Sequence, residues 1–172
     1  QQALQVDSMN NATYRALAQA LESQGRYAEA QRSYEAAVRL RPDYWLNYYY
    51  LAAFLATRDR REEALQQAAL AESLAPAASF PYAWLGSLHA SLGFMDKAKA
   101  LLLRSTELEP DYYVFSNLGA IYQYEKQDQK AAEMYERALR MRATDYRVWI
   151  NFASIYSGLP LPEAREKAAA AF

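Results

Sequence analysis

The same pattern of residues recurs every 34 positions along this chain. Asn11–Tyr44 aligns without gaps with the two segments that begin at Trp45 and Ser79, and further copies begin at Tyr112, one residue early, and at Tyr146. The recurring residues of copy 1 are Tyr14, Leu17, Ala18, Ala30, Leu40 and Pro42, at repeat positions 4, 7, 8, 20, 30 and 32. A period of this length predicts small structural units that stack on one another, because one such unit cannot bury its apolar faces alone.

Each copy contains two segments with the apolar spacing of a helix. In copy 1 the spacing i, i+3, i+4, i+7 runs over Tyr14–Leu21 and resumes over Tyr27–Val38, with Gly25 between them. A glycine can end a helix by adopting positive φ, and small residues at positions 8, 20 and 27 allow two helices to approach closely. The sequence therefore predicts two antiparallel helices per copy.

This pattern resembles the tetratricopeptide repeat (TPR), a helix–turn–helix unit of 34 residues, over nearly the whole chain. The resemblance implies an all-α fold, a right-handed superhelical TPR solenoid of antiparallel helix pairs. We expect one array over residues 1–172, with repeats at 11–44, 45–78, 79–111 and 112–145. Residues 1–10 would end a preceding repeat and 146–172 would form a partial fifth, as in a piece of a larger protein.

Proline at position 32 cannot continue the second helix of a copy. Asp43 and Asp111 follow two of these prolines, so we expect them to be N-caps of the next helices. Because copy 4 begins one residue early, the connection at Pro110–Asp111 is predicted to be one residue shorter than the others.

The composition argues against several classes of partner. Nineteen Lys and Arg balance 20 Asp and Glu, so no bulk charge attracts nucleic acid or an anionic membrane. No apolar run reaches the roughly 18 residues of a membrane span. The sequence has no cysteine, which excludes disulfides and thiolate metal sites and leaves the compartment open, with the cytoplasm favoured over the periplasm.

The sequence contains no catalytic constellation. The only histidine, His89, occupies position 11, where other copies have Leu or Tyr, and is expected to lie in the core. The 5 glycines are dispersed and form no phosphate-binding loop. We therefore expect no enzymatic activity, no cofactor and no metal site.

The TPR resemblance implies that the first helix of each pair lines a concave groove. Six aromatic residues at these groove positions have no packing role in the repeat: Tyr49, Tyr50, Phe80, Trp84, Tyr113 and Tyr124. Exposed aromatic residues with polar atoms are typical of binding surfaces. The alternative is that these rings pack on one another or on a following repeat.

Polar groove positions add a second group of candidates. Asn117 and Asn151 share position 6 in consecutive copies, and a side-chain amide can pair with the backbone of an extended peptide. Arg15 and Arg147 could each meet a carboxylate, and Gln19 also faces the predicted groove.

TPR domains that hold chaperone C-termini use a clamp of basic and Asn residues across three copies. Here Ala83 and Ser87 stand where that clamp requires Lys and Asn, so this type of recognition is not expected.

The leading hypothesis is a protein-interaction scaffold that binds an extended protein or peptide segment in this groove. The alternative is a structural spacer or self-association module whose groove and uncapped ends pack against its own copies. The uncapped ends near Gln1–Ser8 and Phe172 could then form a homodimer. The phrases S-N-L-G and D-Y-R-V-W also resemble TPR arrays attached to bacterial kinases, cyclases and regulators.

Overall fold

The computed structural model describes residues 10–142 and 144–158, with side chains to residue 155. These residues form helices and connections without strands. The helices are α1 Asn11–Ser23, α2 Tyr27–Leu40, α3 Trp45–Ala56, α4 Arg61–Leu74, α5 Ser79–Ser91, α6 Met95–Leu108, α7 Tyr112–Tyr124, α8 Asp128–Met141 and α9 Tyr146–Gly158. The predicted all-α class, a TPR solenoid, is confirmed.

The two helices of a pair are joined by a short turn, of three residues in three described pairs and of four residues between α3 and α4. The second-last residue of each of these four turns has positive φ: Gly25 at 74°, Asp59 at 59°, Gly93 at 82° and Lys126 at 59°. This left-handed residue ends the first helix and turns the chain back along it. Glycine adopts this conformation without steric cost, whereas Asp59 and Lys126 adopt it at some cost in backbone energy.

The chain divides into two compact units, of which the first ends at Pro76 and the second begins at Ala77. In the first unit, α1 packs on α2 and α3 on α4. Alanines at the predicted packing positions are fully buried there, among them Ala18, Ala30, Ala52 and Ala64. These small side chains let the helix backbones come together, as the repeat pattern predicts.

The second unit is built around one apolar cluster contributed by α5 to α9. Two glycines mark its closest helix contacts. A Cβ on Gly86 would lie 2.8 Å from Leu102 Cγ, and a Cβ on Gly119 would lie 2.6 Å from the Tyr135 ring. Both partners are fully buried, so a larger residue at either glycine would displace a core side chain.

The connections between pairs agree with the predicted change of length. Four residues, 41–44, separate α2 from α3, whereas three, 109–111, separate α6 from α7. Asp111 caps α7, as predicted, by accepting a hydrogen bond from Tyr113 N at 2.8 Å. The same prediction for Asp43 is wrong, since α3 begins after Tyr44 with no side-chain cap and Asp43 pairs with Arg41 instead.

The predicted uncapped ends, Gln1–Ser8 and the segment at Phe172, lie outside the described residues. None of the described helices is long and apolar enough to cross a bilayer.

Candidate functional site

Several predicted groove residues meet on α5 and α7, in the second unit, around two adjoining cavities. We call these the acidic cavity and the apolar cavity. The acidic cavity has a volume of about 230 Å³ and is lined by Phe80, Trp84, Tyr113, Glu109 and Asp111, with other residues beneath them. Tyr113 also lines the apolar cavity, so one side chain forms part of the wall of both.

The walls of the acidic cavity are aromatic. The rings of Phe80 and Trp84, one turn apart on α5, meet edge to face with centroids 4.8 Å apart and planes at 73°. Phe80 remains 47% exposed and Tyr113, on the facing helix, 49% exposed. Trp84 is half-buried and packs against the core cluster, which fixes the position of the wall.

Two carboxylates from the α6–α7 connection complete this cavity. Glu109 Oε2 accepts a hydrogen bond from Ser79 Oγ at 3.0 Å, and Ser79 O in turn accepts one from the buried Ser105 Oγ at 2.8 Å. Asp111 is held by its capping bond to Tyr113 N. Both acids are thus fixed in place by neutral donors, and neither has an ion pair within the described part of the chain.

The apolar cavity follows along the same two helices. Its volume is about 300 Å³, and its lining includes Ala90, Met95, Ile121 and Tyr124 as well as Tyr113. Tyr124 is 73% exposed and is the most open of the predicted groove aromatics. The cavity is shallow and mostly apolar, with Ser87 and Asn117 as its polar members.

Asn117 lines the apolar cavity and makes one hydrogen bond, from its Nδ2 to Ser87 Oγ at 2.9 Å. Ser87 Oγ itself donates to Ala83 O. Among the described residues no donor is bonded to Asn117 Oδ1. The amide therefore retains an acceptor and a second donor hydrogen for a ligand.

Asn151, the second predicted rung, has a different environment. Its side chain acts on the hydroxyl of Tyr135, which donates a hydrogen bond to Gln123 Oε1 at 3.1 Å. Burial raises the pKa of Tyr135 to about 12, although the Asn151 side chain acts in the opposite direction. Arg147 is exposed, with its Nε 3.6 Å from Asp145 Oδ1. Neither residue lines the two cavities described above.

The predicted groove residues of the first unit pack largely on one another. The ring of Tyr50 stacks parallel to the buried Tyr34 at 6.4 Å and meets Tyr49 edge to face at 5.5 Å. The Arg15 guanidinium lies over the rings of Tyr44 and Tyr50 at 5.3 and 5.7 Å. Arg15, Tyr49 and Tyr50 thus have contacts within the chain. The packing of the two tyrosines on other rings agrees with the alternative interpretation of the groove aromatic residues. Gln19 is exposed.

Sequence reasoning missed Asn47, which is fully buried between α1, α2 and α3. Its Nδ2 donates to Ala37 O at 2.8 Å and to Arg41 O at 3.0 Å, and its Oδ1 accepts from Asn11 and from Arg15 Nη1. Asn47 thereby satisfies carbonyls at the C-terminus of α2 and ties them to α1.

Glu109 and Asp111 were also missed as site residues, although the sequence contains a signal for them. The three junction triplets read Arg41-Pro42-Asp43, Ala75-Pro76-Ala77 and Glu109-Pro110-Asp111. In the first triplet Arg41 neutralises the aspartate, with Nε 3.0 Å from Asp43 Oδ1. The third triplet has a second acid where the first has a base, which leaves two negative charges at one turn.

His89 lies in the core, as predicted, with 3% of its surface exposed and its ring edge-on to Phe94. Among the described residues, no group of three or more His, Cys, Asp or Glu side chains is placed to hold a metal ion.

Three family profiles, each described as tetratricopeptide repeat, match the chain at residues 12–44, 81–112 and 114–145. Together these matches cover more than half of the sequence. No curated protein matches it.

Solved structures share the fold at low sequence identity. Pseudomonas aeruginosa PilF superposes with a TM-score of 0.81 at 18% identity, over 94% of this chain and 72% of that one. TTC0263, a thermophilic TPR protein of Thermus thermophilus, gives 0.73 at 25% identity, over 90% and 85%. YrrB, described as a TPR protein with an unusual peptide-binding site, gives 0.66 at 19% identity, over 99% and 87%.

Proposed function

Because this chain belongs to the tetratricopeptide-repeat family, we propose that it is a protein-interaction scaffold that binds an extended peptide segment. We place the peptide along the adjoining acidic and apolar cavities of α5 and α7. TPR repeats and their structural neighbours are typically non-catalytic scaffolds, which agrees with a binding role.

The observation that carries this proposal is the exposure of aromatic side chains beside two cavities that share a wall. Phe80, Tyr113 and Tyr124 are between 47% and 73% exposed, whereas other apolar residues of the same two helices are buried. Exposed rings next to concave surface are the usual anchors of a protein interface, since they bury a large area at low cost in side-chain entropy.

Asn117 provides the polar contact that an extended backbone needs. Its acceptor oxygen and second amide hydrogen can pair with one peptide unit, whatever the side chain of that residue. A ligand that fills both cavities must pass Tyr113, so a continuous extended chain fits the arrangement better than a compact small molecule. The likeness to YrrB, described as a TPR protein with an unusual peptide-binding site, is consistent with a peptide ligand for this chain.

The test is selection of phage-displayed random dodecapeptides on the purified chain, followed by calorimetric titration of the best peptide. Tyr124→Ala should weaken binding by about tenfold or more, the loss typical of an aromatic anchor. Tyr146→Ala is the matched control, because Tyr146 is a tyrosine of similar exposure, 69%, that lines neither cavity.

Equal losses for Tyr124→Ala and Tyr146→Ala would contradict the placement of the site. A folded chain that selects no peptide would contradict the peptide-binding function itself. The self-association alternative stays a prediction, and sedimentation at several protein concentrations separates it from a monomeric scaffold.

A further inference from the structure

We propose that the acidic cavity recognises an arginine side chain of the bound peptide. This inference rests on the proposed peptide-binding function and adds the chemical identity of one anchor. The apolar cavity would take an adjacent apolar residue of the same peptide.

The charge of the acidic cavity favours a cationic ligand. Glu109 and Asp111 bring two carboxylates to one small cavity, and no Lys or Arg is among its lining residues in the described part of the chain. Several other acids of this chain are paired with bases, for example Glu107 with Arg104 at 2.8 Å and Glu125 with Lys99 at 2.6 Å. A cation is the ligand that complements an acidic pair without such a partner.

The two carboxylates are also held in position before a ligand binds. Ser79 fixes Glu109 through one carboxylate oxygen, and the backbone of Tyr113 fixes Asp111 through one oxygen. Each acid therefore keeps its second oxygen for a ligand while its position is already set. Preorganisation of this kind reduces the entropy that binding must overcome.

The aromatic walls of the cavity favour arginine over lysine. Cations are attracted to the faces of Trp, Tyr and Phe rings, and arginine in particular stacks its planar guanidinium on them. Trp84 and Phe80 form one side of the cavity and Tyr113 the other. A guanidinium can contact these rings with its flat face and donate its N–H groups to the two carboxylates, which a lysine ammonium cannot do with equal geometry.

The test uses variants that remove charge and keep shape. Glu109→Gln retains an oxygen to accept from Ser79, and Asp111→Asn retains a good N-cap for α7. Glu107→Gln is the control, because it removes the same charge two residues away on a side chain that lines neither cavity. Circular dichroism and urea unfolding of each variant verify that the chain remains folded.

Peptides selected from the random library on the wild-type chain should be enriched in arginine. For the best peptide, replacing that arginine by citrulline, its neutral analogue, should weaken binding by about tenfold or more. The double variant Glu109→Gln, Asp111→Asn should weaken binding of the unchanged peptide by a similar factor. The citrulline peptide and the double variant together should lose much less affinity than the product of the separate losses, since both changes remove the same contact. Glu107→Gln should change affinity less than twofold.

Other outcomes overturn the inference in distinguishable ways. If the selected peptides lack basic residues but still lose affinity with Tyr124→Ala, the peptide-binding function stands and arginine recognition fails. Arginine recognition also fails if the affinity losses caused by citrulline and by the carboxylate variant multiply when combined, since each change would then remove a different contact. If a peptide with lysine in place of arginine binds with equal affinity, the acidic cavity recognises charge alone and the proposed guanidinium contacts are wrong. A folded chain that binds no peptide overturns both proposals.

Discussion

Gly119→Ala should destabilise the protein, against the usual effect of placing alanine in a helix. A Cβ at this position would lie 2.6, 2.7 and 2.9 Å from three atoms of the Tyr135 ring. Ordinary contacts begin near 3.4 Å, so the ring must move by most of an ångström. Tyr135 is fully buried and its hydroxyl donates a hydrogen bond to Gln123, which leaves the ring little room to move.

Overpacking of a core costs about 1–3 kcal/mol, and replacing helical glycine by alanine recovers about 1 kcal/mol. We therefore expect Gly119→Ala to lower the free energy of unfolding by up to about 2 kcal/mol. In a Tyr135→Ala background the clash disappears, and the same substitution should raise the free energy of unfolding by about 1 kcal/mol. Repeat 2 already has alanine at both equivalent positions, Ala52 and Ala68, and both residues are fully buried.

Urea unfolding followed by circular dichroism measures all four proteins of this cycle. A Gly119→Ala protein more stable than wild type would refute the packing argument. A penalty of equal size in both backgrounds would refute it as well, because the clash requires the tyrosine ring.

Three further predictions concern buried polar groups. Asn47→Ala should lower the free energy of unfolding by about 2–4 kcal/mol, because it removes the hydrogen-bond partner of two carbonyls and of a half-buried guanidinium. Asn117→Ala, which removes one internal hydrogen bond, should lower it by less than about 1 kcal/mol. Urea unfolding compares the two variants, and equal losses would contradict the expectation. Because the pKa of Tyr135 is raised from 10.0 to about 12, its stabilisation is present below pH 10 and is lost as the pH rises towards 12. Tyr135→Phe should therefore flatten the fall in stability between pH 10 and 12, and an unchanged slope would show that burial does not perturb this hydroxyl. Lys99→Met should lower the free energy of unfolding by about 1.5–3 kcal/mol, because it removes the charged hydrogen-bond partner of Glu125 and both side chains are about four-fifths buried. A double-mutant cycle with Glu125→Gln checks this, and zero coupling would contradict it.

The repeat pattern predicted the helices and their packing well, because both depend on apolar periodicity. The alanines at positions 8 and 20 of the early copies are fully buried, and the shortened junction of copy 4 appears as a three-residue connection. Asn47 was not predictable in this way. Periodicity follows apolar residues, and a buried amide is recognised only once the carbonyls it satisfies, such as Ala37 O, are placed.

The candidate site was predicted in part. The repeat register identified Phe80, Tyr113 and Tyr124 as exposed residues of a first helix, and the structure places all three at cavities. It did not distinguish them from Tyr50, another predicted groove residue, which stacks on buried Tyr34. Whether an aromatic residue at a groove position is exposed depends on which side chain the neighbouring helix places beside it. The repeat pattern does not contain this information.

The central claim is that a peptide binds along α5 and α7. The most direct measurement is amide chemical-shift mapping of the isotopically labelled chain with the selected peptide. We predict that the largest shifts fall within residues 79–91 and 109–124 and that Tyr124→Ala suppresses them. Shifts confined to α1–α4, or to the outward faces of α6 and α8, would contradict the claim.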